Sequence, residues 1–301
     1  MIWLPRAIPD HLAWPFIQFK PIQPFFDFMN LLKTIRHVPV KLYNLETLSY
    51  YNRILANGGT ISDASLSAVE KFVQDCKNAL IWEKLIEVGP FAGNNLNAAL
   101  VKLINAPGAP GTLTNLNFVS GDYTESGSNG GLLGDGATKY LNTGFNNQTM
   151  LPDNSHLSFY LREDVSASGN RALLGVISGT DQYWVGAVTN TQVNARLGQV
   201  ATATYAQNMS KGFYLASRQA ANQLKLYKNG DIAASDATTV THLKPNFSTY
   251  LFGFDTTGTA GAFLPARGSF YSIGHGLSDD EAAVLHDAVQ TLQRNLNRAI
   301  N

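Results

Sequence analysis

Residues 157–162 read Leu, Ser, Phe, Tyr, Leu, Arg, a period of two that a helix cannot use and a half-buried strand requires. One face carries Leu157, Phe159 and Leu161; the other carries Ser158, Tyr160 and Arg162. Comparable segments at 171–177, 182–188, 212–218, 223–227, 248–254 and 268–273 are separated by turn residues. Asn229-Gly230 between two of them is the preferred type I′ hairpin pair, since both residues tolerate positive φ. Many short strands joined this way predict an antiparallel β-sandwich over residues 113–301. A closing helix is expected from Ser278 and Glu281 as capping box, with Ala282, Leu285, Val289, Leu292 and Leu296 as the buried stripe. Arg294 and Arg298 then fall near its negative end.

Upstream the period is helical. Residues 45–104 read as a small helical module, with a first helix at 45–57 stopped by Gly58-Gly59. A second is capped by Ser62 or Asp63 and carries the stripe Leu66, Val69, Val73, Cys76 and Leu80, widened by Phe72. Shorter helices are expected at 81–88 and 95–104. Residues 105–112, with two Pro and two Gly, predict a linker. Residues 1–44 combine Pro5, Pro9, Pro15, Pro21 and Pro24 with Trp3, Trp14, Phe16, Phe19, Phe25, Phe26 and Phe28. That mixture forbids a continuous helix and suits an extended docking arm, or an arm wrapped over its own second module.

Only 15% of the 301 residues are charged, with 22 acids against 22 bases, so no field attracts a polyanion. Nucleic acid is therefore not an expected partner, whereas self-association is. The single cysteine, Cys76, excludes an intrachain disulfide and reads as a small buried hydrophobe. No uninterrupted apolar run approaches the roughly 20 residues of a membrane span, and no leader pattern is present, so synthesis in a cytoplasm is expected.

Three stretches carry a family likeness. Gly130–Gly136 with Tyr140-Leu141-Asn142-Thr143-Gly144, then Leu226-Tyr227-Lys228-Asn229-Gly230, then Gly268–Ile273 with Gly276–Glu281 resemble laminin-G-like, concanavalin A-like domains in order and spacing. The segment from Tyr51 to Ser62 resembles one that precedes such domains in tailed-phage and prophage structural proteins. Together these imply a virion protein of tail-fibre, baseplate or tail-accessory type, with host surface glycan or neighbouring subunits as partners of the sandwich. They imply attachment to other virion proteins through residues 1–44 and, by analogy with fibres, a trimer. A capsid decoration or cement protein is the alternative, and a glycan-cleaving enzyme a second one.

The enzyme reading is weak because the E-x-D-x-x-E pattern of sandwich glycosidases is missing. Glu163 and Asp164 are adjacent and so face opposite ways in a strand, and Asp279-Asp280-Glu281 caps a helix. The histidines His11, His37, His156, His242, His275 and His286 have no metal-ligand spacing. No cofactor is expected; calcium has a weak case through Asp122, Asp135, Asp181 and Asn190, which follow no ligand pattern. For a sugar, Asp181, Gln182, Tyr183 and Trp184, with Arg218 in a separate strand, group suitable side chains, although ordinary packing also explains the two aromatics.

Overall fold

The computed structural model describes residues 43–150, 153–166, 169–189, 191–199, 201–240 and 244–300. The expected docking residues Trp3, Trp14, Phe16, Phe19, Phe25, Phe26 and Phe28 lie outside them, as do Asn190 and His242. Residues Tyr43–Asn301 cluster as one compact unit. It is mainly β: two antiparallel sheets packed face to face, with helices on one of them.

The helix-covered sheet runs Asp231–Asp236, Leu224–Lys228, Gly212–Arg218, Ser155–Leu161, Arg267–Gly274, Gly131–Leu133, Tyr123–Thr124, with Leu85–Gly89 also paired to Arg267–Gly274. The second sheet runs Ala203–Tyr205, Gln192–Gly198, Asp181–Thr189, Arg171–Ser178, Ser248–Leu251, Tyr140–Asn146, Thr114–Leu116. Between the sheets lie Leu157, Phe159, Leu161, Tyr214, Ala216, Tyr271 and Ile273 from one side and Leu141, Leu174, Tyr183, Val185 and Leu197 from the other. Asn229 and Gly230 adopt φ of 52° and 88°, as the hairpin requires.

Helices α1 (Leu45–Ala56) and α2 (Asp63–Asn78) form as expected, the second capped by Ser62, whose hydroxyl accepts from Ser65 N. The C-terminal helix α4 (Asp279–Asn295) has the Ser278–Glu281 capping box, and the whole predicted stripe is buried. The covered sheet meets this helical layer through Tyr160, Phe213, Leu215, Tyr227 and Phe270, with Phe72 of α2 edge-on to Phe270 at 5.5 Å. Ser155–Leu161 is therefore buried on both faces, which is why Ser158 and Tyr160 are inaccessible where a solvent face was expected.

Several expectations fail, each for a tertiary reason. Residues 81–88 form a short 3-10 turn, Trp82–Lys84, and then the strand Leu85–Gly89, because the Arg267–Gly274 edge supplies a hydrogen-bonding partner that no sequence window contains. Gly89 is required there: a Cβ would lie 2.1 Å from the Tyr271 ring. The helix expected at 95–104 shrinks to one turn, α3 (Leu96–Ala99), after which Val101 and Ile104 bridge to Thr112 and Val88. Residues 105–112 are consequently a loop within the unit, closed by Lys102 N donating to Gly111 O at 3.0 Å, rather than a linker between bodies. Leu80 departs from its stripe; α2 has ended, its φ is 60°, and it is 84% exposed.

A buried ion pair, unseen in the sequence, joins these pieces. Lys102 Nζ lies 3.0 Å from Glu87 Oε2 and also donates to Thr143 O, while Tyr271 Oη donates to Glu87 Oε1 at 2.9 Å. Desolvation pushes the Glu87 carboxyl up and the Lys102 ammonium down, and each charge opposes the shift of the other. Every oxygen of Glu87 is thereby engaged, the condition under which such a pair is tolerated.

Candidate functional site

Period-two geometry splits the expected ligand residues between two faces of the second sheet. Asp181 and Tyr183 point one way and Gln182 and Trp184 the other. Tyr183 is wholly buried in the inter-sheet core, where desolvation pushes its phenol up to about 12. Arg218 shares the parity of Tyr214 and Ala216, so its guanidinium also enters that core, at the rim beside Tyr183, Asp153 and Asp236. It is 0% exposed, donates from Nη1 to Ala221 O, and has no acceptor for Nε or Nη2 among the described residues. Arg218 and Tyr183 thus come together, yet not on an open surface.

On the outward face, Gln182 is the hub. Its Oε1 accepts from Trp184 Nε1 and from Arg196 Nη1, both at 2.9 Å. Arg196 Nε donates to Thr202 Oγ1 at 2.8 Å, and the guanidinium carbon sits 5.9 Å from the Trp184 ring centroid. Phe254 packs edge-on to the same indole at 5.5 Å. Trp184 is left only 4% exposed, so the packing explanation holds for it, while Gln182 and Arg196 stay partly exposed. Arg196 was not anticipated, although its alternation with Val193, Ala195 and Leu197 places it on the outer face. At the adjoining rim, Asp181 accepts from Gln199 Nε2 at 3.3 Å. The group is a guanidinium over an indole ring, joined by one hydrogen bond to a planar amide at the ring's edge, an arrangement suited to paired hydroxyls on a sugar ring.

The remaining candidates are dispersed. Asp122 pairs with Lys139 at 2.8 Å. Asp135 accepts from the backbone of Ala137, Thr138 and Lys139; these bonds outweigh burial and hold its carboxyl well below the usual range. Among the described residues no three His, Cys, Asp or Glu side chains are placed to hold a metal ion. Glu163 pairs with Arg267 at 2.9 Å and Asp164 accepts from Lys211 N at 2.8 Å, two separate structural roles. Burial pushes the Cys76 thiol far up. His156, Ser272 and Ser158 form a hydrogen-bonded chain with distances of 2.9 and 2.6 Å, but all three are fully buried and no substrate reaches them. No helix among the described residues is long and apolar enough to cross a membrane.

The fold and these contacts define a helix-backed β-sandwich with a polar, aromatic-supported group on its second sheet. No protein-family model matches the sequence, and no curated protein does. Solved structures that it resembles include the receptor-binding domain of botulinum neurotoxin C/D mosaic serotype, at 13% identity over 68% of this chain and 51% of that one, with a TM-score of 0.49. The botulinum neurotoxin serotype D binding domain gives 14% identity, 68% and 52% coverage and a TM-score of 0.47. A sialidase of Trypanosoma rangeli gives 14% identity, 73% and 39% coverage and a TM-score of 0.46. The chain spans roughly half or less of the length of these proteins.

Proposed function

We propose that this chain is a non-enzymatic phage virion component of tail-fibre, baseplate or tail-accessory type, whose sandwich binds a host-surface glycan on the outer face of its second sheet. The observation that carries the binding half is the Gln182–Arg196 pair on the Trp184 ring. Arg196 is oriented by two hydrogen bonds, and its Nη2 makes none among the described residues. The virion half rests on the sequence resemblance of residues 51–62 and 130–281. The polarity of the body suits display: the described chain enters at Tyr43, in the helical layer, and the second sheet is on the far side of the sandwich. Residues 1–44 then serve attachment, and the surface, with zero net charge, suits a place in a homo-oligomer.

The test is saturable binding of the purified full chain to host envelopes and to glycans released from them, with and without a calcium chelator. The double variant Gln182→Ala/Arg196→Ala should lose about tenfold or more in affinity at unchanged circular dichroism, the scale of one or two charge-assisted hydrogen bonds. A folded wild-type protein that binds neither, or a double variant that binds as well, rejects the glycan reading and leaves the decoration role.

A further inference from the structure

The strand Ser155–Leu161 has Arg218 across from its first residue and Arg162 just after its last, so the two arginines mark opposite ends of the sandwich, about 20 Å apart at strand rise. At the Arg162 end a cleft of about 330 Å³ is lined by Gly127, Ser128, Arg162, Arg294, Asn297 and Arg298. Three guanidinium groups on one small cleft are unusual in a chain with only 22 basic residues and no net charge.

The three arginines differ in what they have left to give. Arg298 engages every N–H, donating to Gln293 Oε1, Phe91 O, Glu125 O, Pro90 O and Ser269 O at 2.6–3.2 Å, so it contributes only its field. Arg162 is 6% exposed; its Nε donates to Gly130 O and its Nη2 to Gly127 O and Ser128 O, at 2.9–3.1 Å. Its Nη1 is buried with no acceptor. Arg294 is exposed and, among the described residues, bonds only Thr291 Oγ1, at 3.0 Å. The nearby carboxylates are committed elsewhere: Glu163 pairs with Arg267 at 2.9 Å, and Glu125 accepts from Gly93 N at 2.6 Å. The C-terminal end of α4 brings about half a negative charge to the cleft, less than the guanidiniums supply.

We propose that this cleft binds an oxyanion, a carboxylate or a phosphate group, with exposed Arg294 as the direct donor and the Arg162 guanidinium as a buried cation in the cleft wall. A planar or tetrahedral oxyanion accepts from Arg294 and offsets the mutual repulsion of the three cations. The cleft volume, near the lower limit of small-molecule sites, admits one acidic group with the unit that carries it. This site is separate from the Gln182–Arg196 group and does not depend on it.

The experiment is calorimetric titration of the full chain with inorganic phosphate and, in parallel, with glucuronate, each at ionic strength matched with chloride. Saturable binding of either anion above the chloride control is expected, and the tighter of the two identifies phosphate or sugar carboxylate as the source. Arg294→Ala should weaken it about tenfold or more, as loss of a charge-assisted bond demands, and Arg162→Met should weaken it through the lost cation. Arg294 is exposed with one side-chain bond, so its variant folds and decides the matter even where Arg162→Met does not. No binding above chloride, or Arg294→Ala binding like wild type, overturns the proposal.

Discussion

Arg298 and Arg218 are 2% and 0% exposed, near opposite ends of the helix-covered sheet, and their surroundings could hardly differ more. Arg298 meets five acceptors from four separate chain segments, whereas Arg218 meets one. Burial raises the cost of a bare guanidinium at both places, lowering each pKa by desolvation. At the first end four fixed carbonyls and the Gln293 amide oxygen offset it; at the second a single carbonyl, Ala221 O, does so. The contrast teaches that burial alone says little about an arginine: one is a clamp on the fold, the other a charge that the fold merely encloses.

The largest expected effect sharpens that contrast. Arg298→Met takes the Arg298 donor from the carbonyls of Pro90, Glu125 and Ser269 and leaves that of Phe91 with Tyr123 Oη alone. Urea unfolding of the full chain should show a loss of about 3–5 kcal/mol, within the range for breaking a buried charged network. A loss below about 1 kcal/mol would remove the distinction between the two ends.

This clamp was also where the sequence misled most instructively. Ser278, Glu281 and the α4 stripe are local signals, and all were legible. Arg298 looks like a last-turn cation only if the helix continues. It ends at Asn295, Asn297 takes φ of 51°, and Arg298 N returns to Gln293 O at 2.9 Å, a Schellman turn that swings the side chain inward. Ser155–Leu161, Arg171–Ser178, Asp181–Thr189, Gly212–Arg218, Leu224–Lys228 and Arg267–Gly274 were readable because period and turn chemistry are local, whereas Gln192–Gly198 was passed over. Leu85–Gly89 was not, since its partner lies nearly two hundred residues away. Likewise Gln182 and Trp184 could be picked as candidates, but the hydrogen bond that Gln182 accepts from Arg196 comes from a neighbouring strand that the sequence does not align.

An intermediate effect probes the Arg218 end through pH. His156 occupies the strand position beside Ser155, fully buried, and desolvation lowers its pKa to about 4. Unfolded, it titrates near 6.5, so the unfolded chain takes up a proton that the folded one refuses. Its contribution is complete above pH 6.5 and is lost as pH falls from 6.5 toward 4, about 3 kcal/mol across that window. Unfolding free energies measured from pH 7 to 4 should flatten by that amount in His156→Gln. An unchanged slope would place the acid sensitivity elsewhere.

The smallest effect is the most discriminating, because it applies the first substitution to the other arginine. Arg218→Met removes two buried donors that have no acceptor among the described residues, which relieves desolvation, and leaves Ala221 O with only the 3.3 Å bond from Val240 N, which costs. It also takes a cation from Asp153 and Asp236. Burial alone would raise the Asp236 carboxyl, but hydrogen bonds from Thr238 and Thr202, each with a larger effect than the Arg218 charge, help to hold it below its usual range and remain in the variant. These opposed terms leave a net change within about 1 kcal/mol of wild type, against several for Arg298→Met in the same assay. A loss matching that of Arg298→Met would mean that Arg218 is held by more than Ala221, and that the two ends are clamps of the same kind.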